Sequence, residues 1–219
     1  EALSHYTKAL HIYQDQVGKK HTSYASTLSN MGILYRTMAE TASGMERLQL
    51  VERAEEALHD SLQTRREIAG DASKDTISTA MNLAMVWRVM DPKRAESKAK
   101  ECEGELRRCL ESSKAHYGDN DALTATILSN LGIFLKYSGR YGEARDAYQE
   151  ALTIRSTTLG DLHPDTIISM HNLAECLLAL GLEKESTALQ TRILDTMGHS
   201  MEEGRGGVDL RKEKTKETA

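Results

Sequence analysis

A chain of 219 residues with 28% charged residues and a formal net charge of −5 does not have the basic surface that nucleic-acid binding requires. Only 5% of the residues are aromatic, so leucine, isoleucine, methionine and small residues are expected to fill the core. The sequence contains no run of about 18 apolar residues, which excludes a predicted membrane-spanning helix.

A glycine and an asparagine recur four times along the chain, always twelve residues apart. The successive copies are offset by 52, 48 and 42 residues, and both markers shift together. Such a pattern predicts an array of one repeated helical unit, in which extra residues enter at a single point. The marker pairs are Gly18/Asn30, Gly70/Asn82, Gly118/Asn130 and Gly160/Asn172.

Each glycine follows one amphipathic helix and precedes another. Bulky residues lie twelve positions before it and leucines eight positions before it, which is the spacing of one helix face. We expect the glycine to end this helix in the left-handed cap conformation. The next helix is predicted to start three residues later. The bulky residues are Tyr6, Leu58, Leu106 and Tyr148. The leucines are Leu10, Leu62, Leu110 and Leu152. The start signals are His21, Ser73, Asp121 and His163.

The second helix of each unit carries apolar or small residues 10, 13, 14 and 17 positions after the glycine. The glycine or alanine at the third of these positions predicts a close approach by a neighbouring helix. Pro164 is expected at a first helical position, and Asp75 and Asp165 add negative charge to a first helical turn.

The repeats predict nine helices, all-α in class. Residues 1–18 form a half repeat, and four helix–turn–helix units follow up to residue 197, with insertions near 39–48 and 91–96. The second insertion is expected to lengthen the helix that Pro92 starts by about a turn and a half. Residues 198–219 are rich in glycine, lysine and glutamate and are predicted to form a disordered charged tail.

The segment from Gly139 to Gly181 closely resembles a tetratricopeptide repeat of the 42-residue kinesin-light-chain type. The resemblance rests on the EAL-x-I-R run, the LG-x-x-HPDT link and the N-L-A that follows it. Residues 1–18 align with residues 143–160 in the same register, whereas the two central units keep the glycine, the asparagine and the apolar positions but lose the HPDT link. Ciliary proteins of the nephrocystin type, sensor arrays of nucleotide-binding signalling proteins and mitochondrial assembly factors are similar at this level.

The resemblance implies a solenoid, a right-handed superhelix of antiparallel helix pairs, whose asparagine-bearing helices line a concave groove that accepts extended peptides. The groove positions fall one before the asparagine and three and six after it. None of the first-row residues is the asparagine that light chains often carry there, which argues against light-chain-like cargo recognition. The expected groove residues are Ser29, Met81, Ser129 and His171 in the first row, Ile33, Met85, Ile133 and Glu175 in the second, and Arg36, Arg88, Lys136 and Leu178 in the third.

The asparagine row has two interpretations: the side chains clamp a bound peptide, or they satisfy backbone groups of an adjoining helix. We favour the second. His171 with Cys176 and Cys102 with Cys109 lack the paired spacing of zinc ligands, and no nucleophile elbow, phosphate loop or zinc-protease motif occurs. The sequence therefore predicts no catalytic, cofactor or metal site.

Three functional hypotheses follow. The leading one is a non-catalytic scaffold or adaptor that holds an acidic or mixed partner peptide in the groove, with Arg36, Arg88 and Lys136 supplying charge. The alternative is a structural or assembly subunit of a large complex that uses its convex face, its insertions and its ends. The third is the sensor region of a signalling ATPase.

The expected partners are proteins rather than nucleic acids or membranes. Three cysteines without a framework spacing predict a reducing intracellular compartment. The cytoplasm is the first choice, and ciliary and mitochondrial locations are the alternatives.

Overall fold

The computed structural model describes the backbone of residues 1–205 and the side chains of residues 1–196. Within this range the predicted all-α class is confirmed: nine α-helices and one short 3-10 helix, with no strand. The helices are α1 Ala2–Gln16, α2 Thr22–Thr41, α3 Gly44–Ala69, α4 Lys74–Val86, the 3-10 helix Trp87–Val89, α5 Pro92–Tyr117, α6 Ala122–Tyr137, α7 Tyr141–Leu159, α8 Pro164–Ala179 and α9 Glu183–Arg205.

The chain forms two units, Glu1–Phe134 and the residues from Leu135 onward, with the boundary inside α6. In the first unit α1 packs on α2, α2 on α3, α3 on α4 and α4 on α5. In the second unit α8 packs on both α7 and α9. The connections are short, so successive helices in contact run antiparallel.

The cores of both units use the periodic positions identified in the sequence. In the first unit, Leu58 and Leu106 are fully buried, and the Trp87 and Phe134 rings lie 4.8 Å apart between centroids. In the second unit, Tyr148 and Met170 are fully buried. The half repeat differs in its burial: α1 packs on α2 but contains no buried residue.

The predicted start signals act as N-caps. The imidazole Nδ1 of His163 accepts a hydrogen bond from the backbone N–H of Asp165 (3.1 Å), and the hydroxyl of Ser73 accepts one from Thr76 (3.3 Å). His21 and Asp121 accept equivalent bonds at 3.1 and 2.8 Å. These bonds satisfy N–H groups that a helix start leaves without an intrahelical partner.

The marker glycines end helices with a positive φ, as predicted, but the predicted left-handed helical cap is wrong. Gly70, Gly118 and Gly160 have φ of 76°, 93° and 82° with ψ of 174°, 166° and 165°, an extended mirror-image conformation open essentially to glycine alone. The large ψ turns the chain away from the helix axis and leads it directly into the next N-cap.

Both insertions are absorbed as helix. α2 continues to Thr41 and α3 begins at Gly44, so only two residues of the first insertion lie between helices. Helices α3 and α5 each have 26 residues, compared with 19 in α7. The second insertion therefore adds about two turns to α5, slightly more than the turn and a half expected.

Helix α9 continues to Arg205, whereas the charged tail was predicted to begin at residue 198. Methionine and glutamate near this point favour helix, and the pair Gly206-Gly207 follows it. The remainder of the predicted tail, residues 206–219, lies outside the described residues.

Candidate peptide-binding site

The residues expected to line the groove lie on the four asparagine-bearing helices. Within each helix their spacing of four and three positions places them on one face. They are distributed as Ser29, Ile33 and Arg36 on α2; Met81 and Met85 on α4 with Arg88 in the 3-10 helix; Ser129, Ile133 and Lys136 on α6; and His171, Glu175 and Leu178 on α8.

These residues differ in how much surface they offer. Ser29, Met81, Met85 and Ser129 are buried, so they support the face from beneath and present little area to a ligand. Ile33, Arg36, Ile133 and Lys136 are half-buried, and Arg88, His171, Glu175 and Leu178 are exposed. A ligand on this face would meet chiefly the last two groups.

In the first unit, Arg36 lies within range of the charge of Arg88. The Nε of Arg36 is buried, and no hydrogen-bond acceptor reaches it within the described part of the chain. Burial lowers the pKa of the Arg36 guanidinium; the nearby Glu40 carboxylate counteracts this, and the Arg88 charge lowers the pKa further. Two like charges and a partly desolvated donor make this a position where an incoming anion would be stabilised.

The third predicted cation is already paired. In the second unit, the Nζ of Lys136 lies 2.9 Å from one carboxylate oxygen of Glu175, and the Nε2 of His171 lies 3.2 Å from the other. The pKa of Glu175 is lowered, mainly by its hydrogen bond to Lys136. Lys136 is therefore not available as an uncompensated cation, because Glu175 of the next repeat supplies its carboxylate.

Residues 93–156 and 123–197 match the sequence profile of the tetratricopeptide repeat family. The search among curated proteins found no match.

Solved structures extend the likeness over almost the whole chain. The crystal structure of BtubC (BKLC) from P. vanneervenii has a TM-score of 0.71 at 20% identity, covering 99% of this chain and 78% of that one. A protein of Podosopora anserina, described as a kinesin light chain with nearly identical TPR-like repeats, has a TM-score of 0.66 at 15% identity and covers 89% and 85%. The chain thus has the all-α solenoid fold of kinesin-light-chain-like tetratricopeptide proteins.

The tetratricopeptide repeat is a protein-interaction scaffold and typically non-catalytic. In the part of the chain that the structure describes, no cluster of three or more histidine, cysteine, aspartate or glutamate side chains could hold a metal ion. No helix in that part is both long and apolar enough to span a membrane.

Two of the repeated asparagines do not behave as predicted. Asn30 is exposed, and the Nδ2 of Asn130 lies 3.5 Å from the Sδ of Met81 rather than on a backbone group. The prediction that the row satisfies backbone groups is therefore wrong for Asn30 and Asn130. The Asn130 contact instead joins α6 to α4 beneath the candidate face.

Arginines five positions before the marker glycine join the two helices of a tetratricopeptide unit, and the sequence analysis missed them. In the last unit, the buried Arg155 donates to the hydroxyl of Ser169 (2.7 Å) and to the carbonyl of Asp165 (3.3 Å). In an earlier unit, Arg65 contacts the Asp75 carboxylate at 2.9 Å. The arginine of the EAL-x-I-R run and the aspartate of the HPDT link were both visible, and their shared separation of ten residues was the available signal.

Proposed function

We propose that this chain is a non-catalytic protein-interaction scaffold that binds an extended peptide of acidic or mixed composition on the candidate face. The arginine pair of the first unit supports this proposal. The charge of Arg88 lies close enough to Arg36 to lower the pKa of its guanidinium, and the buried Nε of Arg36 has no hydrogen-bond acceptor among the described residues. A peptide carboxylate between them would relieve the repulsion and accept the hydrogen bond.

Half-buried isoleucines support the apolar half of the proposed recognition. Ile33 precedes Arg36 by three positions on α2, and Ile133 occupies the equivalent place on α6. A peptide with one apolar residue beside an acidic one would use both kinds of contact. In the second unit, Lys136, Glu175 and His171 would meet a peptide segment of mixed charge, because their own charges already compensate.

Charge reversal tests the proposal. Peptides selected from a random displayed library against the full chain should be enriched in aspartate and glutamate next to an apolar residue. The double variant Arg36→Glu, Arg88→Glu should bind the best selected peptide at least about tenfold more weakly, and the remaining binding should lose most of its salt dependence. Fluorescence anisotropy with labelled peptide at low and at physiological salt measures both effects.

The matched control is Lys8→Glu with Lys100→Glu, which changes the net charge equally at two exposed lysines on α1 and α5. This variant should bind the peptide as the wild type does. If both double variants weaken binding equally, the effect comes from overall charge, and the role of the arginine pair is refuted.

A subunit of a larger assembly is the second candidate function. Exposed apolar side chains on the last two helices favour it: Leu178 of α8 is 55% exposed and Leu194 of α9 is 69% exposed. Sedimentation of the isolated chain separates the candidates, because a scaffold that binds transient peptides should be a stable monomer, whereas an assembly subunit should associate or aggregate.

Three buried cysteines without a disulfide fit either function in a reducing intracellular compartment, which we propose as the location of the protein.

A further inference from the structure

A cavity of about 460 Å³ opens between the first turns of α3 and the link from α4 to α5, and none of the candidate groove residues lines it. Both insertions contribute to it: Leu48 belongs to the first, and Pro92 and Arg94 to the second. The cavity therefore lies at the two places where this chain departs from the regular repeat length. The tetratricopeptide core positions do not require it.

The walls of the cavity are held in place by specific contacts. The Nε of Arg47 donates to the backbone carbonyl of Val89 at 2.9 Å, which joins the start of α3 to the 3-10 helix. On the other side, Arg94 binds the carboxylates of Glu52 (3.4 Å) and Glu55. These contacts connect positions about forty residues apart, so the cavity is formed before any ligand arrives.

The inner surface of the cavity is apolar. Val51, Val89 and Met90 line it and are themselves buried in the cluster that joins α2, α3 and the 3-10 helix. Leu48, at the rim, is 36% exposed, and the neighbouring Met45, which does not line the cavity, is 70% exposed. A large apolar side chain entering the cavity would remove this surface from water.

Of the charged residues that line the cavity, Arg94 is in salt bridges, whereas the Arg47 cation and the Asp91 anion are in none within the described residues. Arg94 is neutralised by its two glutamates, and the Asp91 carboxylate accepts a hydrogen bond from the N–H of Arg94 as the cap of α5. Half-buried Arg47 uses its Nε on Val89 and is in no salt bridge within the described residues, although Glu46 lies next to it in sequence. The N-cap Ser43 makes no side-chain bond to α3, so the positive end of this helix is also uncapped.

We propose that this cavity is a second docking site, which takes a large apolar side chain of a partner protein together with a carboxylate beside it. The apolar side chain fills the space above Val51 and Met90. The carboxylate pairs with the remaining guanidinium N–H groups of Arg47, close to the uncapped start of α3. The inference is independent of the proposed peptide face, which lies on other residues.

Three small probes test the chemistry directly: N-acetyl-leucine carries both groups, N-acetyl-leucinamide lacks the charge, and N-acetylglycine lacks the apolar side chain. The full chain, labelled at its methyl groups, is titrated with each probe and followed by NMR. N-acetyl-leucine should shift the methyl signals of Leu48, Val51, Val89 and Met90 saturably, with a Kd on the order of a few millimolar. The amide should bind about threefold to fivefold more weakly, and N-acetylglycine should leave these signals unmoved.

Variants assign the two contacts. Arg47→Gln should bring the affinity for N-acetyl-leucine down to that of the amide, and Leu48→Lys should abolish the shifts. Met45→Lys, the same kind of change one turn away and outside the cavity lining, should leave them intact, and thermal unfolding checks that all three variants are folded. The proposal is overturned if the cavity methyls do not respond saturably, if acid and amide bind equally well, or if Met45→Lys acts like Leu48→Lys.

Discussion

At Gly32 the backbone of α2 lies so close to α3 that there is no room for a side chain. A Cβ atom at this position would lie 2.5 Å from the Cγ of Leu58 and 3.2 Å from the carbonyl oxygen of Ala54. Leu58 is fully buried, so it cannot swing away without disturbing the core. The close helix approach predicted from the repeated glycine or alanine is thus confirmed at Gly32.

We predict that Gly32→Ala lowers the free energy of unfolding by about 1–3 kcal/mol, because overpacking outweighs the better helix propensity of alanine. The matched control is Gly104→Ala on α5, where a Cβ would meet nothing within 4 Å. This control should raise the stability by up to about 1 kcal/mol. Urea denaturation of both variants measures the difference. The steric explanation would be contradicted if both substitutions changed the free energy of unfolding in the same direction.

A second prediction concerns Glu175. Its hydrogen bond to Lys136 and the nearby His171 lower its pKa, so the contact stabilises the fold above the unfolded pKa of the carboxyl group. The stabilisation is lost as the pH falls through the folded pKa. Glu175 is about half-exposed, so the contribution is small, below about 1 kcal/mol.

A carboxyl NMR titration should give Glu175 a pKa below the ordinary glutamate value in the wild type. In Lys136→Met this pKa should rise towards the ordinary value, whereas Lys184→Met, which removes an exposed lysine of α9, should leave it unchanged. An identical Glu175 titration curve in all three proteins would rule out the pairing in solution.

The identity of the candidate residues could be predicted from sequence, but their contacts could not. Lys136 and Glu175 lie 39 residues apart on neighbouring repeats, and their pairing depends on how α6 and α8 are placed. The lowered pKa of Arg36 likewise depends in part on the charge of Arg88, more than fifty residues away. Periodicity identifies which residues share a helix face, whereas the pairing of their charges depends on the side chains of neighbouring helices.

Among the helices, α3 and α5 offer a natural comparison because both have 26 residues and both begin in an insertion. Asp91 caps α5 through a side-chain bond to the N–H of Arg94 at 3.1 Å. Ser43 occupies the same position before α3 but makes no such bond.

We therefore predict that Asp91→Ala lowers the free energy of unfolding by about 1 kcal/mol, and that Ser43→Ala costs less than half of this. Equilibrium unfolding followed by circular dichroism measures both changes. A larger loss for Ser43→Ala would show that the cap of α3 forms in solution.

The sequence predicted where helices start better than how long they extend. Pro92 and Pro164 both occupy a first helical position, and the glycines end helices within a residue of the predicted place. The second insertion became about two turns of helix because α5 packs on α4 and the 3-10 helix, and the indole Nε1 of Trp87 donates to the carbonyl of Ala95 in the added length (3.0 Å). The added helix length depends on tertiary contacts, which helix propensity alone does not predict.

On the scale of the whole molecule, the three cysteines report on the two units separately. Cys102 and Cys109 belong to the first unit and Cys176 to the second, and all three are buried. Burial raises the pKa of Cys102 to about 11 and that of Cys109 to about 12, so these thiols remain protonated and unreactive at neutral pH. Alkylation therefore requires local or global opening.

We predict slow labelling of all three thiols by iodoacetamide in the native protein, measured at each cysteine by mass spectrometry. In Gly32→Ala, labelling should accelerate more at Cys102 and Cys109 than at Cys176, because repeat stability is transmitted mainly between neighbours. If all three rates rise by the same factor, the chain opens in one cooperative step, and the prediction of local opening fails.

The lengthened starts of α3 and α5 also bear on how such an array can change over generations. Additional residues enter there as helix at one edge, while the repeated core positions Leu58, Leu106 and Tyr148 keep their distance from their own glycines. An array can therefore acquire new recognition surface by insertion without any change to its repeated core positions. Among chains of this architecture, the lengths of individual helices should then record functional divergence that percentage identity does not reveal.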